Sequence, residues 1–503
     1  MTPTSYDLQN RKEKIMREMT PARIAEAVHG IYYGPDELKN REITAVVTDS
    51  RKTEPGCMYA AIRGERVDGH RFIPDVIDKG AMLVLAEQNP EVTAHQYGTP
   101  KNGRPVPTIV VASVLQALKD AAEYYRSKMP VPVIGIIGSV GKTSTKEMVA
   151  SVLGSRYRVL KTEGNFNNEL GVPMTIFRLR DDHEIAVVEM GINHFGEMHR
   201  LAKIVRPDTV VMTNIGTAHL EFLKTREGIL RAKSEVFDFF GENGHIVLNG
   251  DDDMLSTIEE KNHVTPIRFG MHRDGFSHPN DLYADNVEKH GLDGISCTIH
   301  IRQGLTDAVS QVTIGDVMIP LPGMHMVYNA LAGAAVGTIY GLTAEEIRDG
   351  IAHCPSLSGR FHIIHEKDGR GLTIIDDCYN ANPASVKESL SVLGDAGGRR
   401  VAVLGDMGEL GENEKALHAE VGHFAAEKGI DALYCVGPLS AYTAEAADSA
   451  IAAGKRRMDI RHFDTRDQLM QALPGLMQHG DVVLVKASHF MEFGKITETL
   501  QTL

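Results

Sequence analysis

The chain has 503 residues, a length that predicts about three domains rather than one hydrophobic core. With 42% hydrophobic residues, 24% charged residues and a net charge of −14, it has the composition of a soluble globular protein and not of a broad nucleic-acid binder. No apolar run approaches the roughly 20 residues of a membrane-spanning helix, and the polar N-terminus has no signal-peptide pattern. We therefore expect a cytoplasmic protein without membrane insertion.

The cysteine pattern indicates a reducing compartment. The five cysteines are odd in number, scattered along the chain, and include no C-x-x-C pair. Such spacing argues against both a disulfide framework and a zinc site. They are Cys57, Cys297, Cys354, Cys378 and Cys435.

Residues 1–18 are predicted to be an N-terminal tail, and MTPARIAEAVHG, which begins at Met19, to form the first helix. Whether translation starts at Met1 or Met19 stays open. The domain that follows, 19–130, contains the short apolar runs TAVVTD, AMLVLAE and TIVVAS, which predict the strands of an α/β fold. The proline-containing run SKMPVPV at 127–133 has the composition of an interdomain linker.

The second predicted domain spans 131–355 and alternates strands with helices. It opens with the β-branched run Val133–Ile137, and further strands are predicted at HEIAVVEM, DTVVMTN and HIVLN, with helices near 196–205 and 227–240. This alternation implies parallel strands with crossover helices. The runs ISCTIHI and SQVTIGDVMIPL predict an antiparallel appendage before a helix that starts near His325.

The third predicted domain, 356–503, repeats the alternation. The runs LTIID, RRVAVLG, ALYCVG, MDIRHF and DVVLVKA are each followed by a helical pattern. Five such units in this length predict a doubly wound sheet. The fold class is therefore α/β in three domains.

Residues 134–144, IGIIGSVGKTS, predict a phosphate-binding loop between a buried strand and a helix. Glycines let backbone N–H groups converge on phosphate oxygens, the helix N-terminus adds its dipole, and the Lys-Thr pair adds a charge and a Mg²⁺ ligand. Generic P-loop spacing would place a glycine at Ile136, so the match is to the shorter GxxGK[ST] form. We predict nucleotide contacts from Gly138, Ser139, Gly141, Lys142, Thr143 and Ser144.

Three residues farther along have the chemistry of a phosphoryl-transfer site, which needs metal ligands at strand ends. Glu189 ends the strand at 185–188, and His219 follows the strand at 209–213, at the sheet edge where α/β folds bind ligands. Lys233 lies in a predicted helix. Taken alone, each has an ordinary interpretation: a solvated carboxylate, a structural histidine and a surface lysine.

Motifs in chain order resemble the Mur ligase family. GSVGKTSTKEM, TEGNFNNELGVP, VVEMGINHFGEM, NIGTAHLEF and RAKSEVF are similar to its central ATPase domain. LPGMHMVYNALAGAA, SGRFHII, IIDDCYNANP, LGDMGELGE and VKAS are similar to the end of that domain and to the C-terminal domain, and 48–73 is similar to the UDP-muramoyl-binding N-terminal domain. EGNFNN, YNANP and LGDMGELGE indicate the MurF type, and the DNPR motif of ligases that add the diamino acid is absent.

The resemblance implies a UDP-sugar-binding N-terminal domain, a central P-loop ATPase domain with a parallel sheet, and a C-terminal Rossmann-like domain. It implies an ATP- and Mg²⁺-dependent ligase that joins D-alanyl-D-alanine to a UDP-muramoyl-tripeptide through an acyl phosphate. Both partners are small molecules, and we expect a monomer. The third residue of the tripeptide, lysine or diaminopimelate, stays open.

The resemblance also implies roles for individual residues. Lys142 would hold the γ-phosphate, Thr143 and Glu189 a first Mg²⁺, and His219 a second Mg²⁺ together with a carbamylated Lys233. The implied nucleotide contacts in the rest of the chain are Asn329 to adenine, Arg360 to phosphates and Asp377 to ribose. The implied substrate contacts are Asp49, Ser50, Arg51 and His70 for the UDP-sugar and Asn165, Asn168, Asn380 and Asn382 for the peptides.

Three positions depart from the family pattern. His325-Met326 replaces an HN pair, Cys378 replaces a serine, and His489 replaces the arginine of a KxSR motif, exchanging a permanent cation for a titratable one. None belongs to the phosphoryl-transfer centre.

Two alternatives stay open. One is a ligase with another acceptor, either a different Mur type or a folylpolyglutamate-synthase-like enzyme, although TDSR and GERVDGH favour UDP-muramoyl over folate. The other is a nucleotide- or UDP-sugar-binding regulator without ligase activity, for which Met326 and His489 would be signs of drift.

Overall fold

The structure is a computed structural model that describes residues 15–64, 67–87, 107–217, 220–305, 313–366 and 369–503. The described residues form two compact units. The first comprises those of Met1–Ile136, Tyr157–Val210 and Ser234–Gly244, and the second comprises those of Ile137–Arg156, Val211–Lys233 and His245–Leu503. Within the described ranges, no helix has both the length and the apolarity to cross a membrane.

The N-terminal part of the first unit contains a five-stranded sheet of order β1-β5-β4-β3-β2, in which only β1 runs antiparallel to its neighbour. The predicted strands TAVVTD, AMLVLAE and TIVVAS are confirmed as β2, β4 and β5, while β1 and β3 were not predicted. The strands are β1 (Ile31–Tyr33), β2 (Val46–Val47), β3 (Met58–Ala60), β4 (Leu83–Glu87) and β5 (Thr108–Val111). The helices are α1 (Pro21–Ala27), α2 (Ile73–Asp78) and α3 (Val114–Lys128).

Local sequence explains α3. The hydroxyl of Ser113 accepts the backbone N–H of Gln116 and caps the helix. Its buried residues recur three and four apart, from Val114 to Tyr125, and form one apolar face.

The start of the described chain corrects the predicted tail. Met16 lies inside the predicted tail at 1–18, yet it is fully buried and donates its backbone N–H to the carbonyl of Ile43 at 2.9 Å. Met19 is also buried. Residues 15–18 are thus part of the N-terminal fold, and 1–14 lie outside the described residues.

A nine-stranded sheet of order β14-β13-β12-β11-β10-β9-β6-β8-β7 contains the central strands. The β12, β13 and β14 strands pair antiparallel and confirm the predicted appendage, although β12 itself was not predicted. The strands are β6 (Val133–Ile137), β7 (Val159–Lys161), β8 (Ile185–Glu189), β9 (Thr209–Met212), β10 (His245–Asn249), β11 (Ile267–Gly270), β12 (Leu282–Lys289), β13 (Ile295–Ile301) and β14 (Thr313–Ile319).

The helices that accompany the central strands include the one after the phosphate loop. They are α4 (Lys142–Gly154), α5 (Gly171–Ile176), α6 (Glu197–Val205), α7 (Leu220–Leu223), α8 (Arg226–Ser234), α9 (His325–Ile339) and α10 (Ala344–Ala352). The helix predicted at 227–240 is wrong at its end, because α8 stops at Ser234 and a 3₁₀ helix covers Glu235–Phe239.

Helix α9 packs closely against α4 because its glycines present no side chain there. A Cβ on Gly333 would lie 3.1 Å from a methyl of Val152, and one on Gly337 would lie 2.9 Å from the other methyl of that valine. Nearly the whole of α9 is buried. The phosphate-loop helix therefore rests on a buried helix with little room for larger residues.

The C-terminal part of the second unit is a six-stranded sheet of order β15-β16-β20-β17-β18-β19. It confirms the predicted doubly wound sheet, and adds β15, an unpredicted antiparallel edge strand. The alternation along β17 is clear, since Ala402 and Leu404 pack into one apolar cluster and Val401 and Val403 into another. The strands are β15 (His362–His365), β16 (Thr373–Asp376), β17 (Arg400–Gly405), β18 (Ala432–Val436), β19 (Asp459–Phe463) and β20 (Val482–Lys486), and the helices are α11 (Pro383–Gly394), α12 (Glu414–Glu427), α13 (Ser440–Ala452), α14 (Arg466–Leu476) and α15 (Gly494–Leu500).

Candidate nucleotide and substrate sites

The predicted phosphate loop connects β6 directly to α4. Gly138 has a φ of +151°, and a Cβ there would lie 1.9 Å from the hydroxyl of Thr213, so only glycine fits. Gly141 is left-handed, with a φ of 84°, at the N-cap of α4. The two glycines of the motif thus have separate tasks: the first permits a close approach, and the second turns the chain into the helix.

Lys142 lies over the loop. Its ammonium group donates to the carbonyl of Gly138 at 3.0 Å and to that of Ser139 at 3.2 Å. The N-terminus of α4 carries the positive end of the helix dipole, and its first N–H groups have no acceptor within the helix. A cation and an electropositive helix end therefore converge on one loop, which is the chemistry of a polyphosphate site.

Lys233 corrects the interpretation of this position as a surface lysine. It lies on α8, is 1% exposed, and donates from Nζ to the carbonyl of Gly138 at 2.9 Å. Burial, with a further contribution from the nearby charge of Lys142, lowers the pKa of Lys233 well below its usual range. The side chain of Lys233 thus reaches the phosphate loop from a position 95 residues farther along the chain.

Glu189 corrects the second ordinary interpretation, that of a solvated carboxylate. It is 1% exposed at the end of β8, and its Oε1 accepts the side-chain amide of Asn167 at 2.8 Å. In the sheet register Glu189 pairs with Ile136, two residues before Gly138 in the chain. Asn167 was not predicted, since EGNFNN offers three asparagines and the sequence does not show which one faces the carboxylate.

The chemistry of these side chains fits Mg²⁺ in part. The hydroxyl of Thr143 and the carboxylate of Glu189 are oxygen ligands of the kind that Mg²⁺ prefers. An unmodified Lys233 does not fit, because an amine that donates to a carbonyl offers no oxygen. His219 lies outside the described residues. No cluster of three or more histidine, cysteine, aspartate or glutamate side chains suited to a metal ion occurs in the described part of the chain.

Asn329 is buried on α9, beside α4. Its Oδ1 accepts the hydroxyl of Thr145 at 2.7 Å, and its Nδ2 donates to the thioether of Met326 at 3.2 Å. The departure at Met326 therefore has a structural consequence, because the sulfur accepts a hydrogen bond that fixes the orientation of the Asn329 amide. Its contact with adenine stays a prediction.

Asp377 lies at the carboxyl end of β16 and is buried. Its Oδ2 accepts the ammonium of Lys486 at 2.5 Å and the hydroxyl of Ser389 at 2.7 Å. Lys486 also donates to the carbonyl of Asn380 at 3.2 Å. This lysine, from the motif that reads KASH in this chain, holds together the segment that contains the predicted ribose contact and a predicted peptide contact.

The departure at Cys378 preserves a hydrogen-bond donor. Its thiol donates to Oδ1 of Asp376 at 2.9 Å. Burial and this bond to Asp376 raise the pKa of the Cys378 thiol to about 12, so it stays protonated at neutral pH. A thiol donor can thus serve where the family has a hydroxyl.

Arg360 and His489 meet at one aromatic ring. The guanidinium of Arg360 lies 4.2 Å from the ring centroid of Tyr379, and the imidazole of His489 lies 5.4 Å from the same centroid. The residue that replaces the family's arginine therefore packs against the same ring as the predicted phosphate contact.

Two of the predicted peptide contacts bond to backbone N–H groups where helices begin. Oδ1 of Asn168 accepts the N–H of Gly171 at 2.8 Å at the start of α5, and Asn382 forms a capping box with Ser385 at the start of α11. The amide of Asn380 accepts the N–H of the next residue at 2.9 Å. The asparagine side chains of these motifs thus stabilise the backbone of the loops in which they lie.

The predicted UDP-sugar residues form two pairs in the first unit. Asp49 and Arg51 form an exposed ion pair at 2.7 Å, and the hydrogen bonds from Arg51 lower the pKa of Asp49 to about 2. Nδ1 of His70 lies 2.6 Å from the carboxylate of Asp68, and its Nε2 accepts the N–H of Glu87 at 2.9 Å. Both ring nitrogens of His70 are therefore engaged, which fixes the orientation of the ring.

Tyr59 connects the two pairs. It lies on β3, and its hydroxyl donates to the carbonyl of Gly69 at 3.0 Å. Burial, with the charges of Asp49 and Asp68, raises the pKa of Tyr59 to about 12. The structure therefore brings the segments of Asp49 and His70 together. Ser50 contributes its carbonyl, which accepts the ammonium of Lys79 at 3.0 Å.

Three family models match the chain in succession. They are the Mur ligase family, catalytic domain at residues 42–126, the Mur ligase middle domain at 136–337, and the Mur ligase, glutamate ligase domain at 359–489. Together they follow the order of the three predicted domains.

Three curated relatives that each align over more than 90% of this chain share one name. The UDP-N-acetylmuramoyl-tripeptide--D-alanyl-D-alanine ligase of Bacillus subtilis is 34% identical over 490 residues, covering 96% of this chain and 99% of the relative. A crystal structure of MurF from Acinetobacter baumannii matches with a TM-score of 0.82 at 30% identity, covering 96% of this chain and 99% of that one. MurF ligase from Thermotoga maritima in complex with ADP matches at 0.74 and 27% identity, over 91% and 97%. The chain belongs to the Mur ligase family, with the three-domain α/β fold of the MurF type.

Proposed function

We propose that this chain is the ATP-dependent ligase that joins D-alanyl-D-alanine to a UDP-muramoyl-tripeptide in the synthesis of peptidoglycan precursors. The observation that carries the proposal is the loop from Gly138 to Thr143 at the head of α4, with Lys142 folded over it. Relatives named for this reaction, aligned over nearly the whole chain, support it. We assign binding of the UDP-muramoyl-peptide to residues 19–130 and binding of ATP to 131–355, and we assign the C-terminal ligase domain to 356–503. We propose that the protein is a cytoplasmic monomer.

The reaction has two steps. The terminal carboxylate of the tripeptide attacks the γ-phosphorus of ATP, so that an acyl phosphate forms and ADP leaves. The amine of D-alanyl-D-alanine then attacks the acyl carbon, inorganic phosphate leaves, an amide bond forms, and the amine loses a proton. Because a carboxylate and a triphosphate repel each other, the site must neutralise charge before they can meet.

This chain's residues supply part of that neutralisation. Lys142 provides a fixed cation at the loop, and the N-terminus of α4 adds its dipole. Asn167 orients the Glu189 carboxylate by donating to one of its oxygens. Thr143 and Glu189 would hold a first Mg²⁺, and His219 with carbamylated Lys233 a second; bound Mg²⁺ supplies charge neutralisation at the phosphates.

The surroundings of Lys233 support carbamylation. The reaction needs a neutral amine, whose nitrogen attacks the carbon of CO₂ and then loses a proton to leave a carbamate anion. Burial and the adjacent Lys142 favour the neutral amine. The product would place a negative charge next to Lys142, which converts a repulsive pair into an attractive one.

For the nucleotide we assign Asn329 to the adenine, Arg360 to the phosphates and Asp377 to the ribose. Asn168 and Asn382 act through their loops, because their side chains accept backbone N–H groups at the starts of α5 and α11. The other substrate assignments are Asp49, Ser50, Arg51 and His70 to the UDP-sugar and Asn165 and Asn380 to the peptides.

The decisive experiment supplies the purified chain with ATP, Mg²⁺ and a UDP-muramoyl-tripeptide, with and without D-alanyl-D-alanine. We expect phosphate release that depends on the dipeptide and a product heavier by the dipeptide less one water. Parallel reactions with tripeptides ending in lysine or diaminopimelate identify the third residue.

Tight binding of the UDP-tripeptide without phosphate release would indicate the regulator instead. Turnover with a folate and glutamate, but not with the UDP-tripeptide, would indicate the folylpolyglutamate-synthase-like alternative. Light scattering on the same preparation tests the proposed monomeric state.

A further inference from the structure

We propose that Asn214 is a positioning residue for the nucleotide. Its side-chain amide holds the phosphate-loop backbone in the orientation that presents N–H groups to the phosphates. Asn214 follows β9, outside the loop motif, and acts through the loop backbone. The proposal rests on the nucleotide binding proposed above and deepens it.

The side-chain amide of Asn214 bonds to both backbone groups of Val140, as the backbone of a neighbouring strand would. Its Oδ1 accepts the N–H of Val140 at 3.0 Å, and its Nδ2 donates to the carbonyl of the same residue at 2.9 Å. The backbone carbonyl of Asn214 accepts the N–H of Ser139 at 3.0 Å. The N–H groups of Ser139 and Val140 are therefore used within the protein and point toward Asn214.

This arrangement determines where the next N–H points. The carbonyl of Val140 accepts a second bond, from the hydroxyl of Thr213 at 2.7 Å, so its direction is fixed by two donors. In a trans peptide the carbonyl and the N–H point in opposite directions, and no described peptide bond is cis. The N–H of Gly141 consequently points away from Thr213 and Asn214.

Gly141 is the N-cap of α4, so its N–H lies next to the first-turn N–H groups of that helix. Those groups have no carbonyl partner within the helix, and together they form an anion receptor. Rotation of the Val140–Gly141 peptide would remove one donor from this set. Asn214 and Thr213 oppose that rotation.

The segment that carries Asn214 is itself held from the opposite side. The amide of Asn249 donates to the carbonyl of Thr213 at 3.0 Å. The carboxylate of Asp252 accepts the N–H of Ile215 at 2.9 Å, and the guanidinium of Arg226 donates to the carbonyl of Ile215 at 3.0 Å and 2.9 Å. Because hydrogen bonds fix the backbone of both residues next to Asn214, its side-chain amide is held in one position against the loop.

The test compares Asn214→Ala with Asn280→Ala in the full chain. Asn280 is the matched control, since it is buried and its amide donates to Asp251 and to the carbonyl of His272, away from the loop. Calorimetry with ADP and Mg²⁺ should show a Kd about tenfold higher for Asn214→Ala, because two backbone hydrogen bonds are lost. Asn280→Ala should bind ADP as the wild type does, even if it lowers the melting temperature equally.

Two further measurements separate positioning from general damage. The Kd for the UDP-muramoyl-tripeptide should be unchanged in Asn214→Ala, which a general loss of structure would not allow. Thr213→Val removes only one of the two donors to Val140 and should weaken ADP binding less, by about threefold. This second variant provides the test if Asn214→Ala does not fold.

An ADP affinity of the folded variants equal to that of the wild type would overturn the inference. Equal losses of ADP affinity in Asn214→Ala and Asn280→Ala would also overturn it, because the effect would then be structural. A wild-type chain that binds ADP with the expected dependence on Asn214, but forms no amide product, would overturn the proposed function and support this inference.

Discussion

His418 should make the stability of the protein fall in mild acid. It lies on α12, is 1% exposed, accepts the N–H of Met407 at Nε2 at 2.9 Å, and donates from Nδ1 to the carbonyl of Glu414 at 2.7 Å. Protonation would direct an N–H of the ring at the N–H of Met407. Burial lowers the pKa of His418, and the charges of Asp406 and Glu414 oppose that shift without reversing it.

The direction of the effect follows from proton binding. With its pKa lowered in the folded state, His418 is neutral there at a pH at which the unfolded chain, titrating at about pH 6.5, already binds a proton. The unfolded state is therefore stabilised as the pH falls. The free energy of unfolding therefore decreases between about pH 7.5 and 5.5, by at most about 1.4 kcal/mol, which is the limit for a ring that stays neutral in the folded state.

The assay is urea unfolding at a series of pH values for the wild type, His418→Gln and His423→Gln. His423 is the matched control, because it lies on the same helix and is exposed. His418→Gln loses stability at every pH through the lost ring, but its free energy of unfolding should decline less toward acid than that of the wild type. His423→Gln should keep the wild-type decline. A decline in His418→Gln as steep as in the wild type would refute the reasoning.

The other predictions concern the proposed reaction. Lys142→Ala should abolish ligation while leaving the melting temperature nearly unchanged, because the lysine contributes charge and not core packing; substantial turnover of the folded variant would contradict this. Arg51→Ala and His70→Ala should weaken binding of the UDP-muramoyl-tripeptide much more than binding of ATP, and equal losses in calorimetry would count against the division of labour among domains. Lys233→Ala should be nearly inactive and partly rescued by a short-chain carboxylic acid, while near-normal activity without the acid would exclude the carbamate.

Local patterns were sufficient for most of the fold. Buried parallel strands appear in the sequence as continuous apolar runs, so Val133–Ile137 was predicted with the observed bounds. Several strands that were not predicted are short or lie at an edge, such as β3 and β15, where few residues carry the pattern. The longer β12 was also missed, since its second half, Asp285–Lys289, is mostly polar or charged and lacks an apolar run. The end of α8 was misplaced because the apolar spacing continues into the 3₁₀ helix.

The candidate site likewise contains residues that the local sequence predicts and residues that it does not. The GSVGKTS loop was predictable because its glycines, lysine and helix are contiguous in the chain. Asn167, Asn214 and Lys486 were not assigned roles, since their partners lie 22, 74 and 109 residues away in the chain. An asparagine in a sequence shows what it can donate and accept, but not which group it faces.

The sequence by itself determined the alternation of strands and helices, the identity of the phosphate loop, and the family to which its motifs belong. Only the tertiary structure decided that Lys233 and Glu189 are buried, and that Asn214 holds the loop. The reason is physical. Backbone conformation depends largely on neighbours within a few residues, whereas burial, and the pKa shift that burial causes, depends on which distant segments pack around a side chain.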